Sequence, residues 1–298
     1  MIPVPRGLPY PFLLPLFLWL SGCSESESRR GPIEPRLYVL DCGQLIRGEP
    51  TRYGLSAAEV EDFNFSDPCY LVAHPRGTLI WDLGILPDDE VEAGLTVQPP
   101  DGGIGSNQSF RSLRSQLEEI GYRPRDITHL AFSHSHWDHV ANANDYADAT
   151  WFVQREEWVD MFSEESRAVA ERGGSRQPFT TYEALESSTT VLLRGDHDVF
   201  GDGSVVILRT PCHTAGHQSL MVRLNNHGPV ILSGDLYHYA AERSLDRMPE
   251  SERACAAPGT TESRQKVERL LSEVGGELWI QHDITQFAGL TKAPEYYD

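Results

Sequence analysis

The residues best suited to chemistry lie between Ser133 and His139. This segment reads Ser-His-Ser-His-Trp-Asp-His, so three imidazoles and one carboxylate fall close together directly after an apolar run. Imidazole and carboxylate groups are the ligands that Zn²⁺ and similar divalent ions take in proteins. Because side chains alternate along an extended chain, His134 and His136 can point one way, and Asp138 and His139 can then turn towards a second ion. The segment therefore predicts a metal site.

Three further segments each place one such side chain at the end of a predicted strand. His213 lies in Thr-Pro-Cys-His-Thr-Ala-Gly-His, Asp235 ends Val-Ile-Leu-Ser-Gly-Asp, and His282 follows Leu-Trp-Ile-Gln. A histidine found alone is more often structural than a ligand. Four segments in this order, all at strand ends, instead predict one shared site for two divalent ions, with zinc the metal that suits these ligands.

The elements that must position these side chains follow from hydrophobic periodicity and turn residues. Strands in two groups with few, late helices favour two packed sheets covered by helices. Residues 97–109 are rich in glycine and proline and predict a loop, and residues 163–180 predict a polar surface excursion. Strands are predicted at 36–40, 69–74, 78–83, 127–133, 149–153, 191–193, 204–210, 219–224, 230–233 and 278–281, and helices at 112–120, 156–162 and 262–274.

Composition limits the class of protein. The chain has 298 residues, of which 40% are hydrophobic, which is enough for one large domain with a buried core. The formal charge of −19 argues against nucleic acid as a partner, because so acidic a surface repels phosphate backbones.

The N-terminal residues predict export. Residues 11–20 form an apolar run that is too short to span a bilayer and matches the core of a secretory signal. The run ends in Leu20-Ser21-Gly22-Cys23, which resembles a bacterial lipobox. We therefore expect a signal peptide at 1–22, a lipid anchor at Cys23, a tether at 23–35 and a periplasmic or outer-membrane lipoprotein. The alternative is an ordinary signal peptide in which Cys23 has no role.

The four remaining cysteines do not have the spacing of a disulfide scaffold or a zinc knuckle. An exported compartment permits disulfides, and Cys42 with Cys69 is one candidate pair. The sequence leaves that pairing open.

In the order of its ligand segments, the chain resembles the metallo-β-lactamase superfamily over nearly all of residues 36–298. The resemblance implies an α+β fold, a four-layer αββα sandwich with two metal ions at one edge. It also implies that Asp82 braces the metal loop. His129 and His217 flank ligands in the sequence, so we expect them to be structural or to support ligands. By the same resemblance, His134, His136 and His213 hold one ion, Asp138, His139 and His282 hold the other, and Asp235 bridges both.

Within the superfamily the chain resembles the N-acyl-homoserine lactonases best. The shared segments are His-x-x-Gly-His-Gln-Ser at 213–219, His-Asp-Ile at 282–284 and Pro-Glu-Tyr at 294–296. The resemblance implies that a hydroxide bridging the two metals opens a lactone ring and that Asp138 passes a proton to the leaving alkoxide. The alternatives are a carboxylesterase, a phosphotriesterase or phosphodiesterase, a β-lactamase-like hydrolase, and a non-catalytic zinc-binding lipoprotein. A homodimer is one option for the oligomeric state.

Two positions depart from the lactonase pattern. Cys212 stands where those enzymes have glycine, and a positive φ there would strain the backbone. Their substrate-contacting tyrosine, three residues after the bridging Asp, is His238 here, with Tyr237 on one side and Tyr239 on the other. We expect Tyr237 or His238 to stabilise the oxyanion. The cavity walls are expected from residues 97–109 with Phe110 and from residues 237–248.

Overall fold

A computed structural model describes residues 1, 3, 34–46, 49–94, 107–109, 111–171 and 179–298. The predicted signal peptide, the lipid anchor at Cys23 and most of the tether lie outside the described residues. So do Phe110 and most of the predicted loop at 97–109. No helix in the described ranges is long and apolar enough to cross a membrane.

Two β-sheets form the centre of the folded unit. Strands β1 to β3 of the first sheet are antiparallel, and its strands β3, β5, β6 and β7 run parallel to one another. The second sheet is antiparallel except where β12 runs parallel to β11. The first sheet has the order β4-β1-β2-β3-β5-β6-β7, with β1 Arg36–Leu45, β2 Phe65–His74, β3 Gly77–Trp81, β4 Asn107–Gln108, β5 His129–Ala131, β6 Thr150–Gln154 and β7 Thr190–Leu193. The second has the order β12-β11-β10-β9-β8, with β8 His197–Asp198, β9 Val205–Arg209, β10 Gln218–Leu224, β11 Gly228–Leu232 and β12 Glu277–Trp279.

Helices cover the outer faces of both sheets. Helix α2 begins after Ser112, whose hydroxyl accepts a hydrogen bond from the Ser115 amide. Helix α8 ends at Gly275, which adopts a left-handed conformation with φ 67°. The helices are α1 Asp88–Glu92, α2 Leu113–Glu119, α3 Arg155–Met161, α4 Glu164–Glu171, α5 Phe179–Tyr182, α6 Ala240–Leu245, α7 Glu250–Arg253, α8 Thr260–Val274 and α9 Ile284–Gly289.

Alternation along β1 and β2 explains the layering. Leu37 and Val39 belong to the cluster between the sheets, whereas Tyr38 and Leu40 belong to the cluster under the helices next to the first sheet. Both faces of these strands are therefore buried, as their nearly continuous apolar sequence requires. On the far side, Val267 of α8 packs on the second sheet. The predicted α+β fold with four αββα layers is confirmed.

The main differences from the predicted elements occur in the connections. Strand β5 ends at Ala131, two residues earlier than predicted, because Ser133 already belongs to the turn that carries the first ligand segment. The predicted surface excursion at 163–180 contains α4 and part of α5, and Tyr182 of α5 is buried in the core. The two-residue strands β4 and β8 were not predicted.

Two disulfides join the described cysteines. Cys42 of β1 pairs with Cys69 of β2, with a Cα–Cα distance of 5.8 Å, so the candidate pair is present. Cys212 pairs with Cys255, which the sequence did not predict. The first disulfide lies in the core next to the first sheet, and the second lies beside the predicted ligand His213.

Candidate metal centre

All seven predicted metal ligands meet at one edge of the sandwich. They come from four connections: the turn after β5, the loop after β9, the turn after β11 and the connection between β12 and α9. Within each group the ligand atoms lie within 4.8 Å of one another. The first group is His134, His136, His213 and Asp235, and the second is Asp138, His139 and His282.

In the first group, imidazole nitrogens converge on one point. His136 Nδ1 lies 2.7 Å from His134 Nε2 and 3.0 Å from His213 Nε2. The three rings are nearly perpendicular to one another, with interplanar angles of 79°, 85° and 79°, so they do not stack. Nitrogen lone pairs this close repel unless a cation lies among them. The arrangement fits a divalent ion held by three imidazoles.

The second group completes a two-ion pattern through Asp235. Its Oδ2 lies 3.2 Å from His213 Nε2, and its Oδ1 lies 3.0 Å from His282 Nε2 and 3.3 Å from His139 Nε2. The Asp138 carboxylate lies beside the same two imidazoles, 3.8 Å from His139 Nε2 and 3.9 Å from His282 Nε2. One carboxylate therefore presents one oxygen to each group, which is the geometry of a bridging ligand.

Burial keeps the imidazoles of His134 and His136 in the neutral form that binds a metal. Burial lowers the pKa of His134 well below its ordinary value, and burial with the nearby His213 lowers the pKa of His136 to about 3. Both imidazoles are therefore neutral at pH 7 and keep a lone pair for a metal. Asp235 Oδ1 and His139 Nε2 are buried without a hydrogen-bond partner, as expected of atoms whose partner is an ion. The donor set fits two divalent cations.

One hydrogen bond and one ion-pair contact, both made by Nδ1, orient two imidazoles in the second group. His282 Nδ1 donates to the Ser66 carbonyl at 2.9 Å, and His139 Nδ1 lies 3.3 Å from Asp82 Oδ2. Because Nδ1 carries the proton, Nε2 is left free to bind a metal. Asp82 also accepts a hydrogen bond from the Ser133 amide at 2.6 Å. The prediction that Asp82 braces the metal loop is confirmed.

His217 supports the site without being a ligand. Its Nδ1 donates to the Thr210 carbonyl at 2.9 Å, and its Nε2 accepts a hydrogen bond from the Asp235 amide at 3.0 Å. Burial lowers the pKa of His217 to about 3, which keeps Nε2 unprotonated for that bond. The prediction that His217 supports a ligand is confirmed. His129 is structural, with Nδ1 3.2 Å from the Thr78 carbonyl oxygen.

Glu157 of α3 joins two ligand loops, a role that the sequence did not reveal. Its Oε1 accepts from the amide and the hydroxyl of Ser135, both at 2.7 Å. Its Oε2 accepts from the Thr214 hydroxyl at 2.7 Å and the Gly216 amide at 3.0 Å. A Cβ on Gly216 would lie 2.4 Å from the Glu157 backbone nitrogen, so only glycine allows this approach. The carboxylate thus holds the His134–His136 turn against the His213 loop.

A cavity of about 330 Å³ opens over the ligands. Tyr53, Phe65 and Trp137 supply aromatic surface to its walls, and Arg52 is the one arginine or lysine among its lining residues in the part of the chain that the structure describes. Asp138 and His238 also face this space. The cavity can therefore hold a small molecule with an apolar part next to the predicted metal ligands.

Of the two residues predicted to stabilise an oxyanion, only His238 lines this cavity. Its Nε2 lies 3.4 Å from Asp235 Oδ2. Tyr237 faces the opposite side, where its hydroxyl donates to Glu268 of α8 at 3.1 Å. The extended chain at Tyr237 turns successive side chains to opposite faces, so both residues cannot serve the site. The oxyanion role is therefore withdrawn for Tyr237 and stays a prediction for His238.

Electrostatics and packing hold His238 in place. Burial opposes charge on its imidazole, but hydrogen bonding and attraction to Asp235 and Glu242 raise its pKa to about 10. Its ring packs 4.3 Å from the Tyr53 ring and stacks on His282 at 5.7 Å. Glu242 accepts hydrogen bonds from the backbone amide of His238 at 2.6 Å, which fixes the backbone there. His238 is thus a pre-positioned hydrogen-bond donor at the cavity wall.

Cys212 has φ 123°, so the backbone strain expected for a residue other than glycine at this position is present. The residue also lines the cavity and precedes the ligand His213. Its disulfide with Cys255 ties this strained loop to the segment between α7 and α8.

Comparison with protein families accounts for this architecture. The model of the metallo-beta-lactamase superfamily matches residues 65–274, which is more than half of the chain. The chain belongs to the metallo-beta-lactamase superfamily. The match spans six of the seven candidate ligands, and His282 lies just beyond it.

Curated relatives within the metallo-beta-lactamase superfamily include lactonases. The N-acyl homoserine lactonase AttM of Azorhizobium caulinodans is 28% identical over 282 residues, covering 88% of this chain and 98% of the relative. The N-acyl homoserine lactonase AiiA of Bacillus thuringiensis subsp. kurstaki is 26% identical over 238 residues, which cover 76% of this chain and 85% of the relative. With this family and these relatives, the chain is a metal-dependent hydrolase.

Solved structures share the fold. An N-acyl homoserine lactone hydrolase with the product N-hexanoyl-L-homoserine bound at its catalytic metal centre has a TM-score of 0.67 at 21% identity, covering 88% of this chain and 97% of that chain. AidC, a dizinc quorum-quenching lactonase, has a TM-score of 0.59 at 15% identity, and the match covers 89% of this chain and 94% of that chain.

Proposed function

We propose that this protein opens the lactone ring of N-acyl homoserine lactones with a two-metal centre. The observation that carries the proposal is the Asp235 carboxylate, which offers one oxygen to each of two imidazole groups at the base of the cavity. The lactonase names of the curated relatives support the substrate class.

The metal is proposed to be zinc. Imidazole nitrogens with few carboxylates suit zinc, and a neighbour of the same fold is a dizinc lactonase. When bound, two such ions lower the pKa of a water molecule and polarise a carbonyl oxygen. The protein's part is to hold the ligands in fixed orientations and to shape the space above them.

Two side chains in the cavity complete the chemistry. His238 Nε2 is placed to donate a hydrogen bond to the oxyanion that forms when the lactone carbonyl is attacked. Asp138 lines the same cavity and can carry a proton to the alkoxide that leaves when the ring opens. The aromatic rings of Tyr53, Phe65 and Trp137 offer apolar contact for the start of an acyl chain.

The test of this proposal is hydrolysis by the full-length, zinc-loaded protein of a short- and a long-chain N-acyl homoserine lactone, followed by proton release. We expect turnover that stops on chelation and returns when zinc is added back. No turnover by protein that holds two zinc ions per chain would refute the lactonase. Chromogenic esters and phosphotriesters, assayed in parallel, would then identify the other hydrolase classes.

A His238→Phe variant is expected to lower kcat by about 10²-fold, because phenylalanine keeps the ring packing but cannot donate a hydrogen bond. A His238→Tyr variant restores a donor and should recover part of that loss. Zinc content should remain unchanged in both. Equal kcat for His238→Phe and the wild-type protein would remove His238 from the reaction.

We also propose that the protein is exported and anchored by a lipid on Cys23. Two disulfides support an oxidising compartment. A Cys23→Ala variant should lack lipid and move from the membrane fraction to the soluble fraction of cells. Unchanged membrane association of that variant would contradict the anchor.

A further inference from the structure

One wall of the cavity is formed by the segment around α7, and this segment reaches the metal ligand His213. Pro249, Ser251 and Glu252 line the cavity together with Cys212. The Glu252 carboxylate is buried, and its Oε1 lies 3.0 Å from His213 Nδ1. Since a carboxylate oxygen can only accept, His213 Nδ1 donates this bond and its Nε2 is left free for a metal.

The second carboxylate oxygen of Glu252 is hydrogen-bonded to the start of α8. Oε2 accepts a hydrogen bond from the hydroxyl of Thr260, the first residue of α8, at 2.8 Å. Ser263 in the first turn of α8 donates to the carbonyl of Pro211 at 3.0 Å. The start of α8 therefore contacts both the carboxylate and the loop that carries His213.

Apart from the buried Pro249 and Glu252, the segment from 249 to 258 is exposed. Helix α7 has only four residues, too few to be stable by its own backbone hydrogen bonds. Residues 254–258 after it are exposed. The covalent bond from Cys255 to Cys212 is thus a further restraint on this segment. It joins the third residue after Glu252 to the residue that precedes His213.

We propose that Glu252 and the Cys212–Cys255 disulfide form one clamp that holds His213 in its metal-binding orientation, so that affinity for one of the two ions depends on the oxidised disulfide. Glu252 is a positioning residue here, because it acts through His213. The clamp rests on the proposed metal site but does not depend on which bond the protein hydrolyses.

The disulfide also explains how Cys212 is tolerated. A residue other than glycine at φ 123° is strained, and an untethered loop could relax away from this conformation. The bond to Cys255 opposes that relaxation. When the disulfide is reduced, the loop can relax and His213 moves out of line with the other ligands.

The experiment measures zinc affinity of the full-length protein by competition with a chromogenic chelator, with and without a water-soluble phosphine. The phosphine and one water convert the disulfide to two thiols and a phosphine oxide. We expect two tightly bound ions in the oxidised protein. On reduction, one of them should weaken by about 10- to 100-fold while the other is unchanged. Removing the phosphine and reoxidising the protein should restore the affinity for the weakened ion.

Variants separate the two parts of the clamp. Cys212→Ser with Cys255→Ser should show the weakened ion without any reductant, because serine keeps the backbone strain at position 212 but cannot form the covalent bond. Glu252→Gln should weaken the same ion with the disulfide intact. Glu250→Gln, an exposed change on the same helix, is the matched control and should bind zinc as the wild type does.

The phosphine can also reduce the Cys42–Cys69 disulfide, and the double cysteine variant is the control for this effect. It keeps only that disulfide, so its zinc affinity should not change further when the phosphine is added. Unchanged affinity for both ions in the reduced protein, or in Glu252→Gln, would overturn the clamp. Zinc binding is measured without substrate. A protein that has no lactonase activity can therefore still confirm or refute the clamp.

Discussion

An Asp235→Asn variant is expected to lose about 10³-fold or more in kcat/KM on a lactone substrate, equal to about 4 kcal/mol of transition-state stabilisation. Asparagine keeps one oxygen, but its amide group would face the imidazole nitrogens of one ligand group. The variant can therefore serve one ion and no longer bridges two. The measurement is kcat/KM together with zinc content, which should fall from two ions towards one.

The matched control is Asp246→Asn. Asp246 is an exposed residue in the left-handed conformation at the end of α6, which asparagine also adopts readily. Its activity and zinc content should be those of the wild type. An Asp235→Asn protein that binds two ions and turns over normally would show that Asp235 does not bridge them.

A Glu157→Gln variant is expected to lose about 2–4 kcal/mol of folding stability, seen as a Tm lower by about 5–10 °C. The carboxylate accepts four hydrogen bonds, and the glutamine amide would direct donors at two groups that are themselves donors. Because those groups belong to two ligand loops, zinc affinity should fall by about 10- to 100-fold as well. Thermal unfolding and chelator competition measure the two effects.

Glu156→Gln provides the same chemical change at the neighbouring position of α3. Glu156 forms a half-exposed ion pair with Arg209 at 3.6 Å, so its replacement should change stability by about 0.5 kcal/mol or less. If the two variants behave alike, Glu157 does not link the loops.

The ligands and the layering could be predicted from the sequence because the signals are local. The turn from His134 to His139 places four ligands within a few residues. The strand runs that precede His213, Asp235 and His282 are nearly continuous in apolar residues. The order of these segments along the chain resembles that of the metallo-β-lactamase superfamily. The assignment of each ligand to one of the two ions was predicted from that resemblance.

What escaped prediction depends on contacts between distant segments. Glu157 is an ordinary acidic residue on an amphipathic helix until the fold brings Ser135 and Gly216 to it. Cys255 lies in an exposed segment, and nothing near it in sequence indicates that Cys212 is within reach. Tyr237 and His238 are adjacent, and only the path of the chain after the short helical turn at 234–236 decides which one faces the cavity.

The ligand loops leave both sheets and converge from positions far apart along the chain. In polymer terms, each bound ion is a cross-link that closes several long loops at once, and an unfolded chain held by such cross-links has fewer conformations to gain. Release of the metal ions and unfolding of the chain are thereby coupled in this protein. The concentration of free metal then contributes to the free energy of unfolding of this protein.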